Sequence, residues 1–261
     1  MMAWADQPLT RGLILAAVVL VSVVAVLIVR RFAPPHALKE HNDFVGFAYS
    51  FVGVVYGVYL AFAAVIVWQH FDATGSIVSR EAEEVNELWH DAAGLPDGPA
   101  IRALWREYAQ TVAVQDWKAM EANDGAPMPS ARVWRTIWQR YTSMRVVPGD
   151  VTHAAFLSES LRVLNELAAT RRERLSADEA SVPPMMWTFV FCGGAGVLLM
   201  TLFIGVHNRL LQIGVTIFVA ALLAYAILIV AALADPYGGD MSVKPDAFVD
   251  VVRMIDADGS R

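Results

Sequence analysis

Uncharged apolar residues gather along the chain into four long runs: Leu13 to Val29, Phe44 to Gln69, Met185 to Val206 and Leu210 to Ala234. Each is near or above the roughly 17–25 residues that a helix needs to cross hydrocarbon, so the pattern predicts four transmembrane helices. The first run ends in Arg30-Arg31 followed by Pro34-Pro35, where a secretory cleavage site would need small residues, so it is expected to remain as an anchor. Trp68 and Trp187 fall at the end of the second run and the start of the third, where amphipathic rings suit one membrane interface.

Between the second and third runs the pattern changes. Residues 72–182 carry 12 of the 20 basic and 17 of the 26 acidic residues, and their apolar positions recur at helical spacing. Val78, Ala82, Val85 and Trp89 form one such set; Leu104, Tyr108 and Val112 a second; Val133, Ile137, Tyr141 and Met144 a third; Leu157, Leu161, Leu164 and Ala168 a fourth. Turn clusters at Gly94 to Pro99, Asn123 to Pro129 and Pro148 to Asp150 separate them, and Ser130 is placed to cap the third. Only Gly75 interrupts the path from Trp68 to Val78, so the second span is expected to continue into this region as one long helix, whereas Pro183-Pro184 breaks the return.

The expected fold is an all-α membrane protein with four transmembrane helices in two hairpins and an all-helical extramembrane domain inserted between helices 2 and 3. Its parts are an N-terminal hairpin in 1–71, the helical domain in 72–182, a C-terminal hairpin in 183–234 and a tail in 235–261.

Composition agrees with a lipid-embedded chain. Of 261 residues, 56% are hydrophobic and 18% charged, a surplus of apolar side chains over soluble domains. The formal net charge of −6 supplies no basic field for nucleic acid. The single cysteine, Cys192, lies in an apolar run and forms no internal disulfide. Short loops hold Arg30, Arg31, Lys39 and Arg209 on one face against Arg11 and Lys244 on the other, so the basic-residue rule places the helical domain and both termini outside the cytoplasm.

No Asp, Glu, Lys or Arg interrupts any of the four runs, although ion-coupled pumps keep an ionisable group at membrane depth. That leaves a passive channel or a non-conducting scaffold. On the second run, Gly46, Ser50, Gly53, Gly57, Ala61 and Ala64 share one stripe that Asn42 extends by a turn, and Gly53 and Gly57 form a GxxxG pair. Such a stripe either lets helices pack closely or surrounds a narrow axis in a homo-oligomer.

Mouth candidates lie at both ends of that run. Before it come Glu40, His41 and Asp43, where Asn42 or Asp43 equally suits a helix cap. After it, Glu83, Glu87 and Asp91 follow at spacing four beside Glu81 and Glu84, either a solvated helix face or, repeated round an oligomer, a negative ring. Asp235 and Asp240 could hold calcium with main-chain carbonyls, although two carboxylates fall short of the six to eight oxygens that ion takes. His70, His90 and His153 have no partner at metal-ligand spacing, no catalytic motif is present, and no cofactor is required. The tryptophans Trp89, Trp105, Trp117, Trp134 and Trp138 would supply a partner-binding surface if the protein were a scaffold.

From about Arg31 to Phe248 the chain resembles the bacterial bestrophin-like domain family of membrane proteins. The resemblance lies in Lys39 to Asp43, Gly46-Phe47, Val52 to Tyr56, Leu60 to Phe62, Trp68, Phe71, Arg80 to Ala82 and Leu95-Pro96. It continues in Leu164 to Leu167, Arg171-Arg172, Arg174-Leu175, Pro184, Trp187, and Asp235-Pro236 through Gly239 to Val243, Pro245 and Phe248. Members often carry an acidic residue after the tryptophan, where this chain has Gln69. By analogy with the bestrophin anion channels, the resemblance implies a pentamer around a pore lined by the second span, with inorganic ions and the bilayer as partners. It also implies a cytoplasmic helical domain, opposite to the side that the charge rule gives.

Overall fold

The computed structural model describes residues 8–122, 127–146, 149–177, 183–239 and 241–259. Among these residues there are no strands, and the helices are α1 (Pro8–Phe32), α2 (Pro35–Lys39), α3 (Asn42–Asp91), α4 (Gly98–Thr111), α5 (Trp117–Ala122), α6 (Ala131–Ser143), α7 (Val151–Ser176), α8 (Pro184–Leu202), α9 (Arg209–Leu233) and α10 (Asp246–Gly259). A π-helical turn, Val112–Asp116, joins α4 to α5. Four helices, α1, α3, α8 and α9, are long and apolar enough to cross a membrane. As expected, α3 passes Gly75 unbroken and runs for 50 residues; one interior glycine costs only about 1 kcal/mol of helix propensity.

The chain divides into two units. The first holds α1, α2, α3 as far as His70, α8 and α9. Here α1 packs along α9 and touches α8. Large side chains such as Leu13, Leu20, Phe218 and Leu222 point away from the unit, as lipid contact requires. The α8–α9 loop is pinned from two directions. Arg30 donates through Nη1 to the Val206 carbonyl at 2.9 Å and to the Gln212 side chain, while the Gln212 amide donates to the Ile204 carbonyl at 3.1 Å. Asn42 donates to the Gly205 carbonyl at 3.0 Å and accepts from the Gly205 N–H at 2.8 Å. With both Gly205 backbone groups taken, α8 stops at Leu202, short of the expected Val206. Asn42 is therefore a loop clamp and not part of an open stripe.

Further along, α3 meets α8 through Tyr56, whose hydroxyl donates to the Val190 carbonyl at 3.0 Å. Its ring lies so near α8 that a Cβ on Gly193 would fall 2.5 Å from Tyr56 Cδ2, and one on Gly194 would fall 2.9 Å from its hydroxyl oxygen. Gly193→Val is expected to destabilise this unit by on the order of 1–3 kcal/mol through overpacking. Thermal unfolding in detergent reads this directly, and an unchanged midpoint would contradict it.

The second unit holds α3 from Phe71, α4 to α7, the Pro236–Gly238 turn and α10. Its core joins Val78, Val85, Leu88 and Trp89 of α3 to Ile101, Trp105 and Tyr108 of α4, Val133, Ile137 and Tyr141 of α6, Leu157, Leu164 and Leu167 of α7, and Phe248, Val251 and Ile255 of α10. The C-terminal segment thus contributes a packed helix, α10, lying on α4 and the π turn.

Candidate functional site

The small-residue stripe of α3 is open within the chain. A Cβ added to Gly46, Gly53 or Gly57 would meet nothing within 4 Å, and Ser50, Gly57 and Ala61 are exposed. Beside the stripe, Phe47, Phe51 and Phe62 are 74, 65 and 65% exposed, with Val54 and Val58 between them. The packed side of the helix is elsewhere, at Tyr56, Ala63 and Val67. Phe47, Phe51, Val54, Val58 and Phe62 were legible as a column, since they follow at spacings of four, three, four and four. The α3 segment thus presents a charge-free surface of small residues and phenylalanines that this chain does not cover.

The mouth candidates are less concerted. Glu40, His41 and Asp43 are all exposed. Beyond the apolar stretch, Glu83 is exposed in a groove of about 570 Å³ that also carries Asp72, Arg80, Lys244 and Asp246, a mixture of signs. Glu87 lies 3.8 Å from Arg162, and Asp91 accepts from Ser160 Oγ at 3.4 Å. Glu83 and Glu87 are thus exposed and Asp91 half-buried, and two of the three carboxylates have partners on α7. Among the described residues no group of three or more His, Cys, Asp or Glu side chains is placed to hold a metal. Asp235 is half-buried, and Asp240 lies outside the described residues, as does the turn at Asn123 to Ala126.

Sequence reasoning assigned no role to the most heavily charged part of the core. Arg174, Glu81 and Asp116 are each 0% exposed. Arg174 Nε donates to Glu81 Oε2 at 2.5 Å, and Nη2 reaches Glu81 Oε1 at 3.3 Å and Asp116 Oδ2 at 3.4 Å. Tyr108 donates to Glu81 Oε1 at 2.7 Å, and Ser130 donates to Asp116 from Oγ at 2.5 Å and from its backbone N–H at 2.9 Å. Ser130 therefore serves Asp116 and makes no side-chain cap for α6. The Tyr237 hydroxyl donates to the Arg174 carbonyl at 2.8 Å. Burial works against the Arg174 charge, but the Glu81 carboxylate holds the guanidinium above its ordinary value; burial and Glu81 together push the Tyr108 phenol well up. Each of the two acids has donors and all three charged side chains are shut off from solvent, which marks them as a structural ion cluster. The legible signal was a charge in the apolar phase of α7, with Arg174 seven residues, about two helical turns, beyond Leu167.

Glu84, one turn along α3, differs. It accepts from Thr170 Oγ1 at 3.0 Å, while its Oε2 is buried with no hydrogen-bond partner. Burial lifts its carboxyl from 4.5 to about 7, against the Thr170 hydrogen bond and with help from Glu81 and Glu166. Because the folded value is raised, its contribution to stability is complete below pH 4.5 and is lost as pH rises through about 7. Glu84→Gln is accordingly expected to be more stable than the parent at pH 8, by on the order of 2 kcal/mol, and to match it at low pH. Parallel urea titrations across that range check the difference in slope.

Trp89, Trp105 and Trp117 belong to the core and offer no surface, so of the five tryptophans expected to form a docking face only the half-buried Trp134 and Trp138 remain available.

No curated protein matches the chain. Solved structures do. A membrane protein point mutant superposes with a TM-score of 0.66 at 14% identity, covering 94% of this chain and 97% of that one. A point mutant of a bacterial bestrophin homologue from Klebsiella pneumoniae gives 0.65 at 13% identity over 94% and 98%. A second mutant of a bestrophin homologue from the same organism gives 0.64 at 13% over 94% and 99%. At such identities the likeness is one of fold. The bestrophin-like domain model matches residues 16–248, which include the open α3 stretch, Glu81 and Arg174, and the chain therefore belongs to the bestrophin-like domain family.

Proposed function

We propose that the protein is a homo-oligomeric passive ion channel of the bacterial cytoplasmic membrane, in which the apolar stretch of α3 from each subunit faces a shared axis. The observation that carries this reading is the α3 surface itself: charge-free, with small residues and phenylalanines left uncovered by the rest of the chain. Small side chains let backbones approach an axis and apolar rings constrict it, which is how a pore can gate without a buried charge. Family membership and the fold shared with bestrophin homologues support the same reading, and a five-fold ring is the assembly that the analogy favours.

The test is mass measurement in nanodiscs followed by ion flux from liposomes at varied pH, calcium and voltage. A ring of four or more subunits with flux above protein-free vesicles is the expected result. The second reading, a non-conducting scaffold, draws on the same Gly53 and Gly57 pair, which equally suits one tight helix dimer. A dimer without flux would establish that reading and overturn the channel.

A further inference from the structure

We propose that the groove between α6 and α7 is a binding site for a small aromatic carboxylate. It has a volume of about 420 Å³ and is lined by Ala131, Trp134, Arg135, Trp138, Ala168 and Arg172. That volume lies in the range of roughly 300–1,000 Å³ that small-molecule sites occupy. The two indoles lie 5.8 Å apart at 39°, presenting aromatic surface beside Ala131 and Ala168.

Two guanidiniums border this apolar surface. Arg135 and Arg172 come from opposite walls, and neither has a carboxylate within ion-pair distance among the described residues. Arg171, outside the lining of the groove, sits over the Trp134 ring at 5.6 Å and donates through Nη2 to Ser130 Oγ at 3.2 Å, which helps to hold the indole in place. Guanidinium forks match carboxylate oxygens in pairs, and indole faces favour a flat partner over a hydrated inorganic ion. The wall is preformed, since Trp134 also rests against Tyr108 at 5.9 Å, so little ordering is needed on binding. Of the other tryptophan–arginine contacts in this unit, Arg102 over Trp89 donates to the Trp89 carbonyl, and Arg174 beside Trp117 is wholly buried in the ion cluster.

The experiment uses the full chain in lipid nanodiscs, with 1-naphthoate as probe, titrated by calorimetry against empty nanodiscs. Acetate supplies the anion without the ring, and 1-naphthalenemethanol the ring without the anion. The expected result is one naphthoate per chain, no heat from acetate, and affinity lowered at least about tenfold in both R135Q/R172Q and Trp138→Ala, the loss expected from removing charge-assisted or stacking contacts. Arg135 and Arg172 are exposed, so the double variant keeps the fold, which circular dichroism verifies. The proposal is overturned if the parent binds no naphthoate at millimolar concentration, if R135Q/R172Q binds it as tightly as the parent, or if acetate or the alcohol binds equally well.

Discussion

Replacing Arg174 by methionine is expected to cost the second unit about 3–5 kcal/mol, enough to unfold many domains of this size. The guanidinium is wholly buried and, among the described residues, is the one cation paired with both Glu81 and Asp116. Methionine fills much of the same volume, so the loss is electrical: two carboxylates stay in a low-dielectric core with their hydroxyl donors but without the opposite charge. Fluorescence of the buried tryptophans Trp105 and Trp117 during urea unfolding reports the midpoint. The double change Arg174→Met with Glu81→Gln should recover part of the loss, because it removes a stranded anion as well as its partner. A single variant within about 1 kcal/mol of the parent would sink the assignment.

Gly53→Leu is expected to behave in the opposite way, leaving the subunit intact and abolishing its activity. A Cβ at Gly53 meets nothing within 4 Å, so the new side chain displaces no neighbour inside the chain, and exchanging glycine for leucine in a helix favours the helical state. If the α3 surfaces of several subunits converge, that side chain lies on or beside the axis, and flux should fall at least about tenfold, with or without loss of the ring. Gly214→Leu on α9 is the control, since a Cβ there also meets open space but the helix is not the one assigned to the axis. Equal flux and equal mass in Gly53→Leu and the parent would refute the arrangement. Together with Gly193→Val, the series separates a glycine needed inside a subunit from one needed outside it.

The elements that were plain in the sequence are those written as one-body signals. Hydropathy over windows of the chain displays the four apolar helices, and the absence of breakers near Gly75 displays the continuity of α3. What stayed hidden depends on a partner far along the chain. Asn42 has the side chain of a helix cap, and only the position of Gly205, 163 residues away, turns it into a clamp. Ser130 likewise looks like a cap until Asp116 is brought beside it. In the acidic run after the second span, Glu81 and Glu84 stand beside the face of Glu83, Glu87 and Asp91, and the structure turns them into the core while Glu83 and Glu87 face outward. Helical phase alone distinguishes those pairs, and it does so only once the packed side of the helix is known.

The π turn at Val112–Asp116 carries a consequence for how this core could change. Such a turn holds one residue more than a regular helical path, so removing a single residue there would let α4 and α5 fuse into one continuous α-helix. Because the wide turn absorbs its extra residue, everything that follows would keep its phase relative to α4. Asp116 would stay against Arg174 and Ser130, and Trp117 would keep the Val243 carbonyl to which its indole now donates at 3.1 Å. A one-residue deletion, disruptive inside a regular helix, would here only straighten the path and leave the charge cluster coupled to the C-terminal segment, so the length of this short stretch is freer than the identity of the charged residues themselves.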